Sequence, residues 1–105
     1  MITRIVKLHF KEERISDFFE LFEDVKYKVV NFPGCIQMTL LQDHAHPNIV
    51  FTYSHWEDAA ALEHYRLSTT FNGLWSKIKP MFESKAEAWT LHAQFEGTNK
   101  SVKSD

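Results

Sequence analysis

Cysteine is nearly absent from this chain: Cys35 is the single thiol among 105 residues. One thiol excludes an internal disulfide and fits a reducing compartment. Basic charge is also short. Twelve Lys and Arg stand against 14 Asp and Glu, for a net charge of −2, and no basic cluster stands out. A nucleic-acid partner calls for a basic footprint, so that class is set aside. No apolar run approaches the roughly 20 residues of a membrane span. The opening MITRIVKLHF alternates like a strand and lacks the continuous apolar core of a signal peptide. The cytoplasm is the expected location, without a membrane partner.

What the chain has in quantity is aromatic surface. Aromatics make up 14% of it, with nine Phe and three Trp. A chain of this length is one domain and stays marginal alone. Its aromatic excess suits a homo-oligomer that buries a second apolar surface.

Periodicity gives the order of elements. On the first strand Ile2, Arg4, Val6, Leu8 and Phe10 share one face, and Thr3, Ile5, Lys7 and His9 the other. The first face is the more apolar and should meet helices. Residues 13–31 read as a helix with Ile15, Phe18, Phe22, Val25 and Val29 on its dry side, ended by Pro33-Gly34. Residues 35–42 and 48–56 read as a hairpin around Asp43-His44-Ala45-His46-Pro47. Asp58 caps a helix through Leu62 and Tyr65, and Ser68 caps another through Phe71, Leu74, Trp75 and Ile78, stopped at Pro80. Residues 83–95 read as the last strand. The expected domain is 1–96, with 97–105 a polar tail.

This β-α-β-β-α-β order is the ferredoxin-like α+β arrangement, an antiparallel sheet with helices on one face. The other face needs a cover, and a second copy of the same sheet is the natural one.

The run Phe32-Pro33-Gly34-Cys35, the hairpin with Asp43 and Pro47-Asn48, then Trp56-Glu57-Asp58, Ala60-Ala61-Leu62-Glu63, Ser68 and Phe71, resembles the antibiotic biosynthesis monooxygenase family. The resemblance covers about residues 2–92. It implies a dimeric α+β barrel, a homodimer in which two sheets face one another. It also implies oxygenase chemistry on quinols or phenols with O2 and no cofactor, or haem degradation, according to branch.

In the commoner pattern a His stands where this chain has Tyr65, and a second precedes the Phe, where this chain has Thr70. His64 is one place away, about 100° around the helix, and is no equivalent. The haem-degrading branch carries an Asn, a Trp and an axial His at places that here hold Val6, Tyr65 and Trp75. With no imidazole for the iron, that branch is disfavoured.

Each candidate has a plainer reading beside it. Tyr65 either assists a bound phenol by hydrogen bonding or proton transfer, or packs at the helix edge with its hydroxyl wet. His64 is a second catalytic candidate, with a solvated surface His as the alternative. Arg4 is a third: at a pocket mouth it would steady an anionic oxygen. Val6, Phe51, Tyr53, Phe71 and Trp75 are the expected pocket walls, and core packing is compatible with that role. Lys7 is expected to pair across the dimer. His44-Ala45-His46 lacks a third ligand, so no metal site is expected. Cys35 has no partner spacing that marks a nucleophile.

The expected function is therefore cofactor-independent oxidation of a small electron-rich aromatic by O2. A non-catalytic barrel binding a small apolar ligand is the alternative.

Overall fold

The computed structural model describes residues 1–100. Its strands are β1 (Ile2–His9), β2 (Cys35–Gln42), β3 (Ile49–Trp56) and β4 (Glu87–Leu91). The helices are α1 (Ile15–Val30), α2 (Ala59–Arg66) and α3 (Thr69–Ile78), with 3-10 turns at Glu12–Arg14 and Lys79–Met81. The strands form one antiparallel sheet in the order β2-β3-β1-β4, the ferredoxin-like topology.

Local chemistry sets the boundaries. Gly34 takes φ +89, a left-handed conformation that L side chains rarely adopt, and a Cβ there would run into the Ala61 Cβ. Its carbonyl accepts the Glu57 N–H at 2.9 Å, tying the end of the α1–β2 turn to the end of β3. Asp58 accepts the Ala61 N–H at 2.8 Å and Ser68 the Phe71 N–H at 3.1 Å. Each such cap is worth about 1 kcal/mol. Ser68 thus breaks the helical segment into α2 and α3.

Two apolar clusters hold the helices to the sheet. One joins Leu8, Phe10 and Val50 to Phe18, Ile78 and Met81; Phe10 and Phe18 stack at 4.4 Å between centroids. The other joins Ile2 and Trp56 to Val29, Leu62 and Tyr65.

β1 turns Ile2, Leu8 and Phe10 into these clusters, as its alternation implies. β4 is shorter than expected. Its last pair is Thr3 with Leu91, one residue short of the start of β1, and residues 93–95 run past that start with no strand to join. At its other end Glu83 and Ser84 form a bend and residues 85–86 are outside the strand, although the Glu83 N–H reaches the His9 carbonyl at 2.8 Å. Residues 97–100 carry no helix or strand, and the rest of the expected tail lies outside the described residues. Lys7 pairs within its own chain, with Glu87 at 3.8 Å, because the two are directly opposed on β1 and β4. No helix among the described residues is long and apolar enough to cross a membrane.

Candidate functional site

Between the sheet and the three helices lies a cavity of about 740 Å³. Its sheet wall combines short side chains, Val6, Thr52, Ser54 and Ala88, with longer ones, Arg4, Leu8, Met38 and Trp56. Its helix wall is bulky, with Phe18 and Phe22 from α1, Tyr65 from α2, and Phe71 and Trp75 from α3. Small residues opposite large ones leave the space. That size suits a drug-sized ligand, for which ordinary pockets run from about 300 to 1,000 Å³.

Tyr65 sits in an aromatic cage. Trp56 stacks on it at 5.0 Å, and Phe32 and Phe71 meet it edge-on at 5.2 and 5.3 Å. Burial, with a smaller contribution from Cys35, pushes its hydroxyl up to about 12. It is therefore a neutral donor at pH 7 and a poor base. Among the described residues no hydrogen bond occupies that hydroxyl. Phe71 continues the aromatic wall to Trp75 at 5.4 Å, and Trp75 to Phe82 at 5.8 Å.

Arg4 supplies the charge. It is half-buried, lines the cavity, and donates from Nη1 to Thr90 Oγ1 at 2.7 Å. Burial first, then the nearby Arg66, lower its pKa, with Glu63 acting in the opposite sense. A guanidinium stays protonated at neutral pH even so. Arg66 also lines the cavity and pairs with Glu63 at 3.2 Å.

Of the expected site residues, Arg4, Val6, Tyr65, Phe71 and Trp75 are brought together around this one cavity. Phe51 and Tyr53 are not. They pair with Lys7 and Ile5 of β1, on the sheet face turned away from the helices, while Thr52 and Ser54 face the cavity. The physical reason is room, since aromatic side chains in place of Thr52 and Ser54 would fill the space. His64 is exposed and outside the cavity, its ring edge-on to Phe32 at 5.7 Å. Tyr65 and His64 diverge by one helical step, and only Tyr65 points inward.

Sequence reasoning missed Arg66, Met38 and the α1 residues Phe18 and Phe22 as lining. Arg66 left a signal: it is four residues from inward-facing Leu62, on the same helix face.

None of the six histidines is part of the cavity lining. Val6, Tyr65 and Trp75 do line it, so the places aligned with haem-contacting positions converge, but with no imidazole to ligate iron. No group of three or more His, Cys, Asp or Glu suited to a metal ion occurs among the described residues. Cys35 is half-buried and its thiol is pushed up by burial, which leaves it protonated and unreactive at neutral pH.

A family model described as antibiotic biosynthesis monooxygenase matches residues 1–73. The chain belongs to the antibiotic biosynthesis monooxygenase family. Solved structures of this family's fold superpose closely. A crystal structure of an antibiotic biosynthesis monooxygenase matches with a TM-score of 0.83 and 22% identity, covering 89% of this chain and 98% of its own. A conserved protein from Methanosarcina mazei Go1 matches at 0.83 and 20%, covering 90% and 94%. A mutant of SnoaB, a cofactor-independent oxygenase from Streptomyces nogalater, matches at 0.79 and 16%, covering 90% and 94%. These likenesses are likenesses of fold. No curated protein matches the sequence.

Proposed function

We propose that this member of the family is a cofactor-independent monooxygenase that oxidises a small electron-rich aromatic, such as a hydroquinone or an anthrone-type phenol, with O2. The observation that carries the reading is the cavity: an aromatic-walled space of about 740 Å³ with a half-buried guanidinium and an unengaged buried phenol on its wall. Phe71 and Trp75 would hold the aromatic ligand. Arg4 would favour its ionised oxygen, and the neutral Tyr65 hydroxyl would donate a hydrogen bond to it. A deprotonated substrate can itself pass an electron to O2. For an anthrone, the CH2 becomes a carbonyl. One oxygen atom stays in the product and the other leaves as water, the substrate supplying all four electrons. Exclusion of bulk water by the helices would protect the intermediates.

The same proposal includes a homodimer, formed in the cytoplasm through the bare face of the sheet. Trp89, Leu91 and Leu41 are each more than two-fifths exposed there, beside Ile5, Phe51 and Tyr53. Covering such a patch is what an obligate interface does.

One observation favours the non-catalytic reading instead. The cavity offers no poised general base, since Tyr65 is a poor one and Glu83, its only carboxylate, is exposed. The test is oxygen uptake by metal-stripped protein given a panel of hydroquinones and anthrones, against a protein-free blank. Saturable uptake above the blank supports the oxygenase. A flat trace for every compound, with binding still measurable by calorimetry, assigns the cavity to ligand binding alone.

A further inference from the structure

The charges around the cavity do not follow those of the chain. The protein as a whole is acidic, with a net charge of −2. Arg4, Arg66, Lys79 and Lys85 nonetheless line the cavity, against Glu83 as its one acidic residue. The four cations also differ among themselves. Lys79 and Lys85 are exposed, close in sequence to Glu83. Arg4 is half-buried and has no carboxylate partner among the described residues; its recorded side-chain hydrogen bond goes to the neutral Thr90 hydroxyl. Arg66, which would compete for the same anion, is the member already paired, with Glu63.

A partly desolvated cation without a counter-ion is costly to keep in an apolar wall. Bound anion would supply the missing charge, and a guanidinium fork fits a carboxylate with two parallel hydrogen bonds. Arg66 and Glu63 both lie close enough for their charges to act on Arg4, Arg66 the more strongly, so this corner of the cavity sets two arginines against one carboxylate that is already paired with Arg66. The remaining lining is aromatic and aliphatic.

We infer that the cavity is selective for an amphiphilic anion: a fused or substituted aromatic bearing a permanent carboxylate, with the carboxylate at the Arg4–Arg66 corner and the rings against Phe71 and Trp75. The inference rests on the cavity being the ligand site, but not on any reaction occurring there. A permanent carboxylate is a separate requirement from an ionisable phenol. It anchors the ligand before any chemistry and orients the reacting ring away from the arginines.

The test compares 9,10-anthraquinone-2-carboxylate with 9,10-anthraquinone-2-carboxamide, its neutral analogue of nearly equal size. Affinities are measured by calorimetry on the full chain at low salt, with a repeat at 0.5 M NaCl. The carboxylate is expected to bind about tenfold or more tightly than the amide, and the ratio to fall with salt as screening predicts. Arg4→Gln is expected to bring the ratio to about one, with Arg4→Lys intermediate. Exposed Arg66→Gln, which leaves the sheet untouched, is expected to reduce the ratio about threefold. Equal affinities in the unmodified protein overturn the inference, as does a preference that survives Arg4→Gln in a variant whose thermal transition shows it folded. Because quinones are already oxidised, no turnover enters this measurement. A carboxylate preference without oxygen uptake from any phenol sinks the oxygenase and keeps the anion site. Uptake from neutral phenols without a carboxylate preference does the reverse.

Discussion

The two faces of the sheet carry opposite kinds of residue for opposite kinds of task. Toward the helices β3 presents Val50, Thr52, Ser54 and Trp56; away from them it presents Ile49, Phe51, Tyr53 and His55. The outward set is bulkier over the middle of the strand, yet the inward set is the one that meets a ligand-sized cavity. Across the sheet the pattern repeats. Outward rows run Trp89–Ile5–Tyr53–Thr39 and Glu87–Lys7–Phe51–Leu41, while Ala88, Val6, Thr52 and Ser54 form the wall of the cavity. A face that must be covered by a flat partner can be filled with large side chains. One that must leave a space beneath helices needs short side chains such as Val6, Thr52, Ser54 and Ala88 among its larger ones, with further bulk supplied from above.

The comparison can be broken at several points. The largest effect is expected in the closed part of the inner face. Phe10 is fully buried and stacked on Phe18, so Phe10→Ala should destabilise the fold by about 3–5 kcal/mol in urea titrations. A loss below 1 kcal/mol would mean the inner cluster is not packed as described.

Next is the pH dependence of the inner face. The fold raises the Tyr65 hydroxyl from 10.0 to about 12, so the fold favours its neutral form. That contribution is fully present below pH 10 and is lost as the pH rises through 12. It amounts to about 2–3 kcal/mol. Urea midpoints should fall less steeply across this window in Tyr65→Phe; an unchanged slope would place the hydroxyl in water.

Tyr65→Phe should also lower oxygen uptake at pH 7 by roughly tenfold, the scale of one lost hydrogen bond to a developing anion. Turnover unaffected by this change would remove the role proposed for Tyr65.

On the outer face, Trp89→Asp should leave the helix-side packing in place and convert the proposed dimer to monomer, read by light scattering. A variant that stays dimeric would put the interface elsewhere. The smallest effect is expected from Phe51→Leu, which should change the affinity for anthraquinone-2-carboxylate less than about twofold. A larger change would put β3's outward side chains in contact with the site after all.

Much of this was legible beforehand, for reasons tied to particular residues. Asp58 and Ser68 are side-chain caps, Pro33-Gly34 is a turn that only glycine closes here, and β1 alternates cleanly enough to show which side meets helices. Arg4, Val6, Tyr65, Phe71 and Trp75 follow from those elements. The facing of β3 did not follow. Both faces of that strand are mixed, and the more aromatic one, with Phe51 and Tyr53, turns away from the cavity. A cavity is defined by what is missing, and small residues such as Thr52, Ser54 and Ala88 carry no such signal in isolation. The end of β4 depends on where β1 begins, which no local pattern within residues 83–95 reveals. The contribution of α1 was hidden differently: Phe18 and Phe22 read as core, and they are core residues that also reach the cavity.

The three tryptophans report on the two faces directly. Trp56 and Trp75 line the cavity, and Trp89 lies outside, beside Ile5. Protein labelled with 5-fluorotryptophan gives three fluorine resonances, assignable by Trp→Phe variants, that can be followed during titration with anthraquinone-2-carboxylate. The account predicts saturable shifts of the Trp75 and Trp56 resonances with one common affinity, and a Trp89 resonance that stays in place. A Trp89 shift with Trp75 unmoved would put the ligand on the outer face and contradict it.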